Sequence, residues 1–155
     1  MIKINIIAVG GIKNTNIADI IDEYKTRMRV FCDLNIIEIK PEPFGEKDHE
    51  MAKDKEWARV KLAIEGIKAE DVYLLAEDGR EYDTVKFADK VIRDKSSVIF
   101  LLGGALGWSK SARLDRIIKP ISLSQLTMTH EMARLVLVEQ VYRALMIVNN
   151  RTYHY

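Results

Sequence analysis

Four stretches of this 155-residue chain carry residue types that can bind or transform a ligand. The first is a glycine loop, Gly103-Gly104-Ala105-Leu106-Gly107-Trp108, directly after the apolar run Phe100-Leu101-Leu102. Glycines permit a tight turn and let backbone amides come close to a ligand. A plain turn is the alternative. The loop excludes two familiar nucleotide sites: there is no G-x-G-x-x-G after the first strand, and no Gly-Lys-Ser/Thr closes it as in a P-loop. The second stretch, Ile121-Ser122-Leu123-Ser124-Gln125-Leu126-Thr127-Met128-Thr129-His130, sets Ser122, Ser124, Gln125, Thr127 and Thr129 between an apolar strand and an apolar helix. Polar groups there need partners, and exposed backbone can serve an adenine edge. Helix capping explains Thr129 but not the whole run. The third, Leu74-Leu75-Ala76-Glu77-Asp78-Gly79-Arg80, also falls at a strand end. The fourth is the terminus, Arg151-Thr152-Tyr153-His154-Tyr155, which joins a cation, an imidazole and two aromatics. Such a tail either frays or stacks on an unpaired base while Arg151 meets phosphate.

Other chemistries find little support. His49, His130 and His154 are scattered without metal-ligand spacing, so no metal is expected. The single Cys32 allows no internal disulfide and reads as a packing residue. Net charge is only +1, but it is unevenly spread: residues 1–102 carry 17 Lys+Arg against 20 Asp+Glu, and residues 103–155 carry 7 against 3. A polyanion would meet the last third first, unless the imbalance is ordinary fluctuation. With no long apolar stretch and no signal-peptide pattern, a cytoplasmic address is expected.

The elements that must hold these stretches follow from periodicity. Strands are expected at Lys3–Val9, Leu34–Lys40, Asp71–Glu77, Ser97–Leu102 and Ile117–Leu123. Helices are expected at Asn16–Arg29, Lys47–Glu65, Thr84–Arg93, Lys110–Arg116 and Thr129–Val148. Strands alternating with helices imply one α/β domain over residues 1–155 with a largely parallel sheet, and a ligand site beyond the carboxyl ends of the strands. The last helix is apolar around most of its circumference, including Met132, Leu135, Val136, Val141 and Tyr142. In so small a protein a second copy of the chain is the expected cover, the alternative being deep burial within one chain.

Taken in order, "FLLGGALGW", "ISLSQLTMTHEMARLVLVEQVYRALMI" and the terminal "YHY" resemble the ribosomal RNA large subunit methyltransferase H family. The opening "INIIAVG" and the "EYKTR" of the first helix fit the same family, and the likeness is weakest over residues 41–70. The resemblance implies a SPOUT-type (α/β knot) fold: a mostly parallel five- to six-stranded sheet with a C-terminal trefoil knot, in a homodimer. It also implies S-adenosyl-L-methionine, bound in the knot by Leu75, Gly103, Gly104, Gly107 and the run Leu123, Ser124, Gln125, Leu126, Thr127 and Met128. The implied substrate is a pseudouridine of large-subunit ribosomal RNA, methylated at N3 in the assembled ribosome. Two departures stand out. Thr129-His130-Glu131 replaces the family's usual Pro-His-Gln, and Asn150-Arg151-Thr152-Tyr153-His154 replaces Gly-Glu-Pro-Tyr-His.

On this reading His154 helps the N3 proton leave, because an imidazole titrates in the useful range, and Tyr153 stacks on or orients the base. Arg134 and Arg143 are nine residues apart, about 2.5 helical turns, and so face opposite sides. One would meet RNA or the charge developing on the base, the other Glu139 or Glu131. Lys110, Arg113, Arg116 and Lys119 would track phosphates, or merely form a solvated face. Two other function classes remain open: a nucleotide- or NAD-dependent enzyme, disfavoured by the missing fingerprint, and a non-catalytic RNA-binding or ribosome-assembly module.

Overall fold

The computed structural model describes residues 1–155. Five strands, β1 (Ile2–Val9), β2 (Cys32–Ile39), β3 (Asp71–Glu81), β4 (Ser97–Leu102) and β5 (Ile118–Ser122), form one sheet in the order β2-β1-β4-β3-β5. Every pairing is parallel. Parallel neighbours require crossovers, and helices supply them, so both faces of the sheet are covered. The central strands show it. Ile4, Ile6 and Ala8 of β1 and Val98, Phe100 and Leu102 of β4 enter one core, while Ile7, Val9, Ile99 and Leu101 enter the other.

The first core is closed by α1 (Thr15–Met28), α3 (Thr84–Phe87) and α5 (His130–Val148); the second by α2 (His49–Glu65) and α4 (Lys110–Arg113). Helix starts follow local chemistry. Asn14 Oδ1 accepts from the amides of Asn16 and Ile17, and the side chains of Asp83, Ser109 and Thr129 cap α3, α4 and α5. No helix is long and apolar enough to cross a membrane.

Several boundaries differ from the sequence expectation. Helix α2 starts at His49, not Lys47, because Asp48 adopts a left-handed backbone with φ 64°. The Thr84–Arg93 helix is α-helical only to Phe87 and continues as a π-helical turn over Ala88–Ile92. Strand β3 runs four residues beyond Glu77, to Glu81, by shifting register between Leu75 and Arg80 while both pair with Ile121. Ile20 of α1 and Met51 of α2 are 41% and 57% exposed. Cys32 opens β2 and is buried, as a packing residue would be.

In α5, Leu137, Val138, Val141, Ala144, Leu145 and Met146 are buried within the chain. Leu135, Val136 and Tyr142 are only partly covered and Met132 is 42% exposed. One chain therefore accounts for part of the helix's apolar surface, not all of it.

Candidate functional site

The carboxyl ends of β4 and β5 and the middle of β3, where its register shifts, converge on a solvent-open cleft. Each wall is one of the stretches singled out above. Leu75, Ala76 and Glu77 come from β3; Leu102, Gly103, Gly104, Gly107 and Trp108 from the end of β4 and the glycine loop; Leu123, Ser124, Leu126 and Met128 from the segment after β5. His130 and Ala133 of α5 and Arg113 of α4 complete it. Eight residues expected to hold the cofactor thus meet in one place. Gln125 and Thr127 do not line this cleft. Both are exposed at its edge, and Gln125 faces a neighbouring acidic hollow with Glu77, Asp78 and Glu81.

The glycine loop is shaped by packing. Gly107 has φ 74°, a conformation that costs any residue with a Cβ roughly 1–2 kcal/mol. A Cβ on Gly103 would come within 3.3 Å of the Trp108 ring and the Gly107 backbone. Trp108 is the bolt. Trp108 is 6% exposed and its Nε1–H donates to the Leu75 carbonyl at 3.0 Å, tying the glycine loop to β3 at its register shift. It stood in the quoted motif without a role, because a strand-to-loop bond across 33 residues leaves no local pattern.

The third wall is chemically open. The amides of Leu123, Ser124, Gln125, Thr127 and Met128 form no hydrogen bond within the chain; only that of Leu126 is taken, by Ser124 Oγ at 3.0 Å. Ser122 Oγ, at the end of β5, is buried and unpartnered. Buried polar groups normally find partners. Free donors and acceptors beside the apolar side chains of Leu75, Leu102, Leu123 and Met128 suit a flat heteroaromatic ring with a polar edge. Glu77, Arg113 and His130 add charged or titratable groups.

Helix α5 also fixes the β1–α1 loop. His130 Nε2 lies 3.2 Å from the Gly11 carbonyl, and Glu131 Oε1 accepts from the amides of Lys13 (2.6 Å) and Asn14 (3.0 Å). Those two amides, the Asn14 bond first, hold the Glu131 carboxyl below the usual carboxylate range. Arg134 was expected to reach substrate or to pair with Glu131 or Glu139. It is instead 2% exposed, with Nη1 on Glu38 Oε1 and Nη2 on the Gly10 carbonyl, both at 2.6 Å. Its partner lies 96 residues away on β2, where helix periodicity cannot point. The structure makes Arg134 an organiser of the Gly10 turn.

Arg143 pairs with Glu139 at 2.6 Å, one of the two pairings expected for these arginines. Tyr153 and His154 are absent from the cleft lining. The tail packs near Glu139, Tyr142 and Arg143, roughly 14–20 Å along α5 from His130 at ~1.5 Å per residue. A single chain does not bring its tail to its own cleft. The basic strip is half engaged: Arg113 is bonded to Asp78 and Lys119 to Asp71, while Lys110 and Arg116 have no ion pair.

Comparison with known proteins agrees with this geometry. The sequence profile of a family described as "Predicted SPOUT methyltransferase" matches residues 2–154. The ribosomal RNA large subunit methyltransferase H of Clostridioides difficile is 38% identical, covering 98% of this chain and 99% of its own. The protein of the same name from Bacillus pumilus is 37% identical over the same shares. A solved structure titled as a probable methylase family protein from Haemophilus influenzae Rd KW20 superposes with a TM-score of 0.58 at 16% identity, covering 99% of this chain and 70% of that one, a likeness of fold alone. The chain belongs to the SPOUT methyltransferase family, among the ribosomal RNA large subunit methyltransferase H proteins.

Proposed function

We propose that this protein transfers a methyl group from S-adenosylmethionine to large-subunit ribosomal RNA, at N3 of a pseudouridine in the assembled ribosome, and that it works as a homodimer. The observation that carries the reading is the unpaired backbone from Leu123 to Met128, set opposite the glycine loop at the strand ends. That open edge, with the orphaned Ser122 hydroxyl, fits an adenosine moiety.

Leu75, Leu102 and Met128 would enclose the ring, the Leu123–Met128 backbone would read its edge, and the Gly103–Gly107 loop would cover the remainder. S-adenosylmethionine, when bound, supplies a sulfonium-activated methyl group. The chain must supply alignment and a route for a proton, because N3 of the base lies between two carbonyls and is protonated at neutral pH. His154 is exposed, carries the only imidazole of the tail, and is assigned the role of accepting that proton on a ring nitrogen. Since the tail lies far from its own cleft, the partner's cleft is the place where it acts. The incompletely covered face of α5, with Met132, Leu135 and Val136, supports such a pairing.

The trefoil knot belongs to the same reading. Its support is membership of the SPOUT methyltransferase family over residues 2–154.

The reading is tested by calorimetry with S-adenosylmethionine and NAD, joined to ribosome pelleting. Binding of S-adenosylmethionine alone, lost when Gly104 becomes Val, is the expected result. Tight NAD binding with no response to S-adenosylmethionine would overturn it. Ribosome binding without methyl transfer would move the protein to the assembly-module class.

A further inference from the structure

The chain does not fray where α5 ends. Asn150 adopts φ 52°, its amide bonds the Ile147 carbonyl at 3.1 Å, and the Arg151 amide bonds Met146 at 2.8 Å. These two bonds are a Schellman turn with Asn in the left-handed position that glycine usually fills. Asn tolerates that conformation better than other side-chain-bearing residues, so Asn150 preserves the turn. The turn directs the tail back onto α5.

There Tyr153 docks. Its ring stands edge-on to Tyr142 at 4.8 Å, with the Arg143 guanidinium 4.7 Å from its centroid, and Tyr142 in turn contacts Tyr24 of α1 at 5.5 Å. The hydrogen bonds can be assigned by counting protons. Tyr153 has one hydroxyl proton and donates it to Glu139 Oε1 at 3.1 Å. Its oxygen therefore accepts from the Tyr24 hydroxyl at 3.2 Å. Glu139 is filled as well, with Arg143 on Oε1 and Gln140 on Oε2, both at 2.6 Å. Beyond Tyr153 nothing holds the chain: His154 is exposed and Tyr155 is 99% exposed.

We infer that Tyr24, Glu139 and Arg143 are positioning residues: together they form a seat for Tyr153 that fixes the point from which His154 and Tyr155 reach the substrate. The inference rests on the proposal that the tail takes part in methyl transfer. Consecutive Cα atoms are ~3.8 Å apart, so a fixed Tyr153 confines the imidazole of His154 to a small volume while leaving it free to turn. Burial first, then the hydrogen bonds with Tyr24 and Glu139, keep the Tyr153 phenol protonated far above neutral pH. Its hydroxyl thus anchors the tail and is no candidate base.

The test uses the full chain with Tyr24→Phe and, separately, Glu139→Gln, beside a chain lacking residues 153–155. Carboxypeptidase digestion followed by mass spectrometry reads the seat. Tyr155 and His154 should be released quickly and digestion should stall at Tyr153, and Tyr24→Phe should lift the stall. One neutral hydrogen bond is worth roughly fivefold in an equilibrium. Turnover on ribosomes should therefore fall by up to roughly fivefold in Tyr24→Phe, with cofactor affinity unchanged and the melting temperature lowered by no more than the ~2–4 °C of one such bond, a split that a merely structural role would not produce. An inactive deletion together with wild-type turnover and an intact stall in both variants would overturn the seat alone. A fully active deletion would overturn the tail's role and the seat with it. No transfer by the wild type, with the stall intact, would overturn the proposed reaction and the catalytic purpose of the seat.

Discussion

Of the glycines, Gly79 has main chain packed closest against it. Within the register shift of β3 against β5, a Cβ on Gly79 would lie 2.5 Å from the carbonyl carbon of Ile121 and 2.7 Å from its nitrogen and oxygen. Non-bonded carbons sit at ~3.5–4.0 Å, so Gly79→Ala must move one strand by about 1 Å. Neither side can yield as a side chain would, since the obstructing atoms are main chain and Ile121 pairs with both Leu75 and Arg80. Overpacking of this kind costs ~1–3 kcal/mol, and backbone against backbone belongs at the upper end, ~3 kcal/mol. In a chain of this size each ~1 kcal/mol lowers the melting temperature by ~2–4 °C, giving a fall of ~6–12 °C. The same displacement disturbs the cleft, because Leu75, Ala76 and Glu77 lie on one side of the passage and Leu123 and Ser124 on the other. Loss of ~1.4 kcal/mol there means a tenfold weaker cofactor. Thermal melts with and without S-adenosylmethionine read both effects. Gly45→Ala is the control, with nothing within 4 Å of its added Cβ. A Gly79→Ala protein melting within ~2 °C of wild type, the scale of a typical surface change, and binding cofactor normally would refute the reasoning.

Three further outcomes are expected. Asn150→Ala should cost ~1 kcal/mol through the left-handed turn while Asn150→Gly is neutral or better, as measured by melting and by carboxypeptidase release of Tyr153. Asp71 sets an acid limb of stability. Burial pushes its carboxyl up, but Lys119, Lys95 and Tyr73 outweigh this and hold it at about 2. A carboxyl depressed below its unfolded value of ~3.9 stabilises the fold above that pH and loses the contribution as pH falls towards about 2, so Asp71→Asn should flatten denaturation curves in that window by ~2 kcal/mol. Arg134→Ala should cost ~2 kcal/mol, below the ~3–5 of a fully buried pair because the Glu38 side chain is 51% exposed, and should speed amide exchange in Gly10–Asn14.

The sequence and the structure agree where the signal is local. Apolar runs located all five strands, and the glycine loop and the Leu123–Met128 segment were recognisable as walls of one site because each follows a strand. What stayed hidden depends on contacts between distant residues. The Trp108–Leu75, Arg134–Glu38 and Tyr24–Tyr153 bonds span 33, 96 and 129 residues, and no periodicity encodes them. The extension of β3 was hidden as well, because the expected strand stopped at Glu77 while a register shift carries the observed one on through Asp78 and Gly79 to Glu81. Asn150 looked like a departure at the level of residue identity, yet its backbone does what a glycine would do.

The most direct test of the central claim is transfer of radiolabelled methyl from S-adenosylmethionine to three acceptors: whole ribosomes, free large subunits and naked ribosomal RNA. The account predicts label in whole ribosomes alone, mapped to N3 of one pseudouridine and lost when residues 153–155 are removed. Label on naked RNA at another base, or no label anywhere despite intact cofactor binding, would contradict it.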